Sequence, residues 1–177
     1  MSTDAPVRAW LRQRGAERIA HPGGTLFAHL CRVSERLAAL GCDSTVQVAG
    51  LTHAAYGTDG FDLALLDPAD RGVLRDLVGA DAEELVYLYG ACDRDRSWRA
   101  LAETGQVVDR FTGEVRTPDA ERLRWLTDLS IVNELDVIAH DPALAARHGA
   151  YFRDLFASWA ALASEQVIQD ARRVLRS

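Results

Sequence analysis

Apolar residues recur at helical spacing along most of the chain. The clearest run lies between Thr25 and Gly41, where the large apolar residues are separated by four, three, four and three positions: Leu26, Leu30, Val33, Leu37 and Leu40. This spacing puts them on one face of a helix. Thr25 is a favourable N-cap and Gly41 a favourable terminator, so the sequence predicts an amphipathic helix over residues 26–40.

The segment that follows has no polar face. Nearly every position from Val46 to about Tyr56 is apolar or small, and Asp43 or Ser44 before it is suited to cap a helix. A helix that is apolar all round belongs in the centre of a fold. We therefore expect a buried helix that continues to about Tyr56.

Helices with capping residues or proline at their starts are predicted downstream as well, beginning near Asp67, Asp81 and Thr117 and extending over residues 151–175. The pattern changes at residues 106–116, where valines flank a Phe-Thr-Gly turn, which favours a small β-hairpin. No Gly/Ser-rich linker and no internal repeat divides the chain. The predicted fold class is all-α, with a single helical domain over residues 1–177 and a small hairpin.

The charge balance argues against a nucleic-acid partner. The chain carries 20 basic and 26 acidic residues, with the two signs interleaved and a formal charge of -6, whereas nucleic-acid binding normally needs a basic face. The amino end, Met1 to Asp4, lacks the cationic and apolar regions of a signal peptide. The longest apolar runs are about ten residues, against roughly 20 needed to span a bilayer. We expect neither nucleic-acid nor membrane binding.

The cysteines indicate a reducing compartment. Cys31, Cys42 and Cys92 are odd in number and form no close pair, which is typical of reduced thiols that serve as small buried side chains. We therefore predict a cytoplasmic protein. Its expected partner is a small-molecule substrate or ligand, and the sequence leaves a homodimer open.

Two of the five histidines lie in apolar surroundings. His53 falls inside the most apolar predicted helix, and His29 lies on the helix before it. A buried imidazole needs a partner, which is a carbonyl, a carboxylate or a metal. Adjacent antiparallel helices would bring both rings to one interior point, as core histidines or as ligands. His21 precedes them in a predicted loop, whereas His140 and His148 lie near helix ends, where histidine is favoured without any function.

Two motifs surround these histidines. Residues 21–30 read H-P-G-G-T-L-F-A-H-L, and residues 49–58 read A-G-L-T-H-A-A-Y-G-T. They resemble the patterns H-x-G-x-T-L-x-x-H-L and A-G-L-x-H-x-x-Y-G-T of a group of small HD-like proteins. More distantly, they resemble the amino half of the (p)ppGpp hydrolase domains of the RelA/SpoT type. The resemblance implies an HD-like helical domain.

A metal site is implied by the same resemblance. His29 matches the first histidine of the family, and His53 matches the histidine of its His-Asp pair. Ala54 stands where the family has the paired aspartate, and Asn133 falls nearest to the late one. Imidazole and oxygen ligands suit zinc, manganese or iron, so we predict a divalent metal cofactor. The predicted ligands are His21, His29, His53 and Asn133, with Asp59, Glu134 or Asp136 as other sources of an oxygen ligand.

Further residues are candidates for catalysis and substrate binding. A metal with an open position lowers the pKa of bound water towards roughly 7, and Asp59 or Glu134 is the candidate general base. Tyr56, Thr58 and Arg94 are candidates for holding an anionic or oxygenated substrate. Their structural alternatives are a core hydroxyl, a loop cap and a surface ion pair, respectively.

Three functions are consistent with such a pocket. The principal hypothesis is a metal-dependent hydrolase of a small, phosphorylated molecule, which the positions of His29 and His53 and the resemblance favour. The second is a non-heme iron oxygenase on the same scaffold. The third is a non-catalytic ligand-binding or regulatory module, in which the lost acidic residues leave a degenerate metal site.

Overall fold

The computed structural model describes residues 4–176, and its helices confirm the predicted all-α class. They are α1 (Asp4–Gln13), α2 (Leu26–Ala39), α3 (Ser44–Thr52), α4 (Arg71–Val78), α5 (Ala80–Ala91), α6 (Arg94–Ser97), α7 (Leu101–Thr104), α8 (Ala120–His140), α9 (Pro142–Ser158) and α10 (Glu165–Val174). Across residues 4–176, no helix combines the length and apolar character needed to cross a membrane. Residues 1–3, on which the prediction of no signal peptide partly depends, lie outside the described range.

In the described part of the chain, two short antiparallel strand pairs accompany the helices. Strands β3 (Val107–Val108) and β4 (Val115–Arg116) form the hairpin predicted at residues 106–116, so that prediction is confirmed. Strands β1 (Ala20–His21) and β2 (Gly24–Thr25) pair in a segment that was predicted to be a plain loop. Pro22 and Gly23 connect them, and Gly23 has a φ of 80°. A proline followed by a glycine with positive φ is what a type II turn requires.

The starts of α2 and α3 agree with the predicted caps. The Thr25 side chain accepts a hydrogen bond from the backbone N–H of Ala28 at 3.2 Å. Asp43 accepts one from the N–H of Thr45 at 2.7 Å. Each side chain satisfies a backbone donor that has no partner within its helix. Helices α2 and α3 pack directly against each other.

The carboxyl end of α3 differs from its prediction. The helix ends at Thr52 rather than near Tyr56, and His53 occupies the C-cap position. Tight turns follow, closed by the N–H of Ala55 on the Thr52 carbonyl and by the N–H of Gly57 on the Ala54 carbonyl. The apolar run continues past the helix because the turn itself is buried. It therefore gave no signal of where the helix stops.

Helix α8 is the centre of the fold. It contacts α2, α3, α5, α9 and α10, and residues 125–136 are buried without interruption. Its buried positions include polar side chains as well as apolar ones, among them Asn133, Glu134 and Asp136. Burying such groups is costly unless they find partners. These three residues face the region where α2 and α3 place their histidines.

Candidate functional site

A cavity of about 430 Å³ lies between the elements that carry the predicted site. The β1–β2 hairpin, α2, the turn after α3, α6, α8 and α9 contribute its walls. Of the ten candidate residues, eight line it: His21, His29, His53, Thr58, Asp59, Arg94, Asn133 and Glu134. Tyr56 and Asp136 do not. The structure therefore gathers side chains that are up to 113 positions apart in the sequence (21 to 134).

His29 is held by a carboxylate behind it. Its Nδ1 lies 2.7 Å from Oδ2 of Asp136, and only 1% of His29 is exposed to solvent. Because an ionised carboxylate can only accept, the proton of this bond is on Nδ1. The remaining nitrogen, Nε2, points at the other polar groups of the site. A carboxylate behind a histidine in this way is the usual support of a metal-binding imidazole.

His53 directs its Nε2 towards Nε2 of His29. Its Nδ1 lies 2.8 Å from the Gly50 carbonyl oxygen, which also can only accept. Nδ1 therefore carries the proton, and the lone pair is on Nε2. This Nε2 lies 3.3 Å from Nε2 of His29. Burial, followed by the nearby His29, lowers the pKa of His53 to about 3, so the ring is neutral at physiological pH.

Asn133 adds an oxygen to the two nitrogens. Its Oδ1 lies 3.0 Å from Nε2 of His29, while its Nδ2 donates to Oε1 of Glu134 at 3.0 Å. The bond to Glu134 orients the amide so that its acceptor faces the histidines. With His29 in its neutral form, three lone pairs converge without a donor between them.

Such a set fits a divalent metal ion. Two nitrogens bound to one zinc ion at about 2.0–2.1 Å each, in tetrahedral arrangement, lie roughly 3.3–3.4 Å apart. The separation of the two Nε2 atoms is 3.3 Å. Among residues 4–176, no three or more histidine, cysteine, aspartate or glutamate side chains form a metal-ligand group. The third donor of this set is instead the neutral amide oxygen of Asn133.

His21 lies in the cavity in a different relation to His29. The two rings stack, with centroids 4.0 Å apart and planes 25° from parallel, and Phe61 packs edge-on against His21. The buried Nδ1 of His21 has no hydrogen-bond partner within residues 4–176. Burial, followed by His29, lowers the pKa of His21 to about 4. His21 therefore forms part of the cavity wall, and its Nδ1 is available to a ligand.

Arg32 connects the hairpin to the support of His29, and sequence reasoning missed it. Its Nε and Nη2 donate to the two carboxylate oxygens of Asp136, both at 2.8 Å. The same guanidinium donates to the carbonyls of Pro22 at 3.2 Å and Gly23 at 3.3 Å. Asp136, considered above as an oxygen ligand, is thus occupied by Arg32 and His29. Arg32 lies one helical turn after His29 in α2, which is the signal that could have identified it.

Arg94 and Glu134 form the charged part of the cavity. Arg94 Nη1 donates to Oε1 of Glu134 at 2.8 Å, and Nη2 donates to the Tyr89 hydroxyl at 2.9 Å. The guanidinium also lies over the Trp98 ring, 4.5 Å from its centroid. Within residues 4–176, the two hydrogen bonds use two of the five N–H donors of the guanidinium. Arg94 therefore retains N–H groups that can donate to a bound anion.

Asp59 and Thr58 belong to the turn that closes this side of the cavity. Oδ2 of Asp59 accepts a hydrogen bond from the backbone N–H of Arg94 at 2.8 Å, which fixes the start of α6. The backbone of Thr58 forms two hydrogen bonds with Phe61, each of 2.9 Å. Both side chains therefore lie on a short, well-bonded turn rather than on an open loop.

The prediction that Tyr56 binds substrate is corrected by its position. Its hydroxyl donates to Oε1 of Glu83 at 2.8 Å, in a buried cluster away from the cavity. Arg71 binds the same carboxylate with bonds of 2.6 and 2.8 Å, and its guanidinium lies 3.9 Å from the Tyr87 ring centroid. Because the chain turns after Thr52, the Tyr56 side chain points towards α5. Its hydroxyl is a core hydroxyl, which was the structural alternative.

The α9 wall was not predicted as part of the site. Leu144, His148, Tyr151 and Phe152 lie on one face of α9 and line the cavity. Tyr151 and Phe152 fall in the helix predicted over residues 151–175, where apolar positions are usually core, whereas Leu144 and His148 lie before that predicted helix. Nothing in their spacing distinguishes a cavity wall from a packed interior.

Comparison with known proteins adds a family match to part of the chain. The sequence model of a family described as a domain of unknown function (DUF6817) matches residues 10–94. The matched segment contains His21, His29, His53 and Arg94, whereas Asn133 and Glu134 lie beyond it. Neither the curated proteins nor the solved structures contain a match.

Proposed function

We propose that this chain is an HD-like, metal-dependent hydrolase of a small, phosphorylated molecule. The observation that carries the proposal is the convergence of Nε2 of His29, Nε2 of His53 and Oδ1 of Asn133. When Nε2 of His29 carries no proton, it faces the acceptor atoms Nε2 of His53 at 3.3 Å and Oδ1 of Asn133 at 3.0 Å, and these contacts are repulsive unless a cation lies among them. A divalent metal ion supplies that cation, and two imidazoles suit it.

Residues of the chain supply the general base and the groups that bind the phosphoryl oxygens. A divalent ion held by His29, His53 and Asn133 would supply a water of lowered pKa and would polarise a phosphoryl oxygen. Glu134 accepts two hydrogen bonds on Oε1, which leaves Oε2 without a partner in residues 4–176 and able to take a proton as general base. Arg94 donates to the phosphoryl oxygens, and Asp59 holds the backbone that positions Arg94. We place the activity in the cytoplasm, with support from the three free cysteines.

Metal-dependent phosphate release tests this function. Chelator-treated protein is mixed with zinc, manganese or iron(II) and a panel of small phosphate esters. We expect one metal per chain and phosphate release that requires it, with Glu134→Gln at least about 100-fold slower while binding metal normally. Stoichiometric metal without any hydrolysis would overturn the enzymatic part. An oxygen-sensitive spectrum of the iron form would point to the oxygenase alternative.

Asn133→Asp should strengthen metal binding. The substitution replaces a neutral amide oxygen by a carboxylate at a position 3.0 Å from Nε2 of His29. We expect affinity for zinc or manganese to rise about tenfold or more, because carboxylate is the stronger oxygen donor. Isothermal titration calorimetry measures the change, and Asn133→Ala should lower the affinity. Equal affinities for the three proteins would remove residue 133 from the site.

A non-catalytic binding module is the second candidate, and the same contacts favour it in one respect. If His29 carries protons on both nitrogens, Nδ1 donates to Asp136 and Nε2 to Asn133. Both nitrogens of His29 then have hydrogen-bond acceptors, and no metal is needed between His29 and Asn133. Protein that takes up no zinc, manganese or iron(II) in the titration above would favour this function.

A further inference from the structure

The cavity has an apolar wall that the proposed metal site does not use. Its members are Trp98, Val137, Leu144, Tyr151 and Phe152. Three of them come from one face of α9, and Val137 lies one turn beyond Asn133 on α8. Trp98 and Phe152 are nearly covered, at 4% and 7% exposure. A cavity with convergent polar groups at one end and carbon surface at the other suits a ligand with two unlike ends.

The charges of the lining limit how anionic that ligand can be. Among the lining residues, Arg94 carries a positive charge and is already bound to Glu134. Asp59 and Asp95 are further carboxylates of the same lining. A polyphosphate would bring several negative charges towards these acids, and the repulsion is stronger at the half-buried Asp59 than at Asp95, which is exposed to solvent. A single phosphoryl group, shared between a divalent ion and Arg94, does not meet this obstacle.

We infer that the ligand is a monoester with one phosphoryl group and an apolar remainder, such as an aryl ring. The phosphoryl group lies at the His29–His53 end, and the apolar group lies against the α9 wall. The placement of the phosphoryl group rests on the proposed function, whereas the apolar end rests on the wall alone. The cavity volume of about 430 Å³ falls in the range of small-ligand sites.

Hydrolysis-resistant phosphonates test the inference without catalysis. Phenylphosphonate, methylphosphonate and tripolyphosphate are titrated calorimetrically into the full chain, once with zinc and once after chelator treatment. We expect phenylphosphonate to bind at least about tenfold more tightly than methylphosphonate in both states, because the ring is buried against carbon. Tripolyphosphate should bind more weakly than phenylphosphonate.

A pair of leucine variants tests whether the apolar wall causes the preference for phenylphosphonate over methylphosphonate. Leu144 lines the cavity, whereas Leu162 is similarly half-buried and packs against the same core without lining it. Leu144→Gln should reduce the preference for phenylphosphonate to about threefold or less, because the wall becomes polar. Leu162→Gln should leave it unchanged. Val137→Asn replaces Leu144→Gln if that variant does not fold.

Three results would overturn the inference: equal affinities for the two phosphonates, tighter binding of tripolyphosphate, or no binding of any probe. Failure of the proposed function gives a different result. Protein that prefers phenylphosphonate in both states but releases no phosphate from any ester retains the ligand class and loses the hydrolase activity.

Discussion

Alanine in place of His53 is expected to lower the affinity for zinc or manganese at least about 100-fold. The substitution removes one of the two nitrogens that face each other across 3.3 Å. The remaining donors, Nε2 of His29 and the Asn133 amide oxygen, cannot hold a divalent ion firmly by themselves. His53 is 2% exposed, so no outer side chain can take its place without moving the core.

Calorimetric titration of chelator-treated protein measures this effect, with His148→Ala as the matched control. His148 lines the same cavity, and its ring packs against Phe152 rather than against His29. We expect that variant to bind metal as the unaltered chain does. Circular dichroism establishes that each variant is folded. A folded His53→Ala protein with full metal occupancy would remove His53 from the site.

Glu83→Ala is expected to destabilise the protein by about 3–5 kcal/mol, which is the usual cost of removing one partner of a buried ion pair. Glu83 is fully buried and accepts hydrogen bonds from Arg71, Tyr56 and Arg75. Its removal leaves the Tyr56 hydroxyl without an acceptor and Arg71 with only part of its partners. Chemical denaturation followed by circular dichroism gives the free energy of unfolding.

Glu84→Ala is the matched control, because Glu84 is the next residue and also binds Arg71. Its side chain is 38% exposed, so we expect a loss within about 1 kcal/mol. Burial acts to raise the pKa of Glu83, but the bonds from Arg71 and Tyr56 outweigh it and lower the pKa below 4.5. The stabilisation is therefore present above that pH and lost on acidification. Equal losses for the two variants at neutral pH would contradict the assigned ion pair.

The helices could be predicted from sequence because their signals are local. The stripe from Leu26 to Leu40 and the cap at Thr25 depend on neighbours within a few residues, and both are observed. The end of α3 was misplaced because Ala54 and Ala55, at 2% and 0% exposure, are as buried in the turn as they would be in a helix. Apolar spacing reports burial, and here burial continues where the helix does not.

From the residues alone, the site could be predicted where a buried polar residue stood out against its surroundings, whereas Asn133 was predicted from the resemblance to HD-like proteins. His53 stood out, because an imidazole in an apolar segment needs a partner. The contact between Arg32 and Asp136 spans 104 positions, so the spacing of Arg32 from His29 could indicate a shared face of α2 but not the partner on α8. Tyr56 was misassigned for the same reason, since its partner Glu83 belongs to another helix. The apolar wall of α9 has the spacing of ordinary core.

Anomalous diffraction from crystals of the full chain soaked in zinc tests the metal site most directly. We predict one strong peak in the cavity, about 2.0–2.1 Å from Nε2 of both His29 and His53. Zinc bound only at surface positions, with the two nitrogens still 3.3 Å apart and nothing between them, would contradict the metal site and the hydrolase proposal with it.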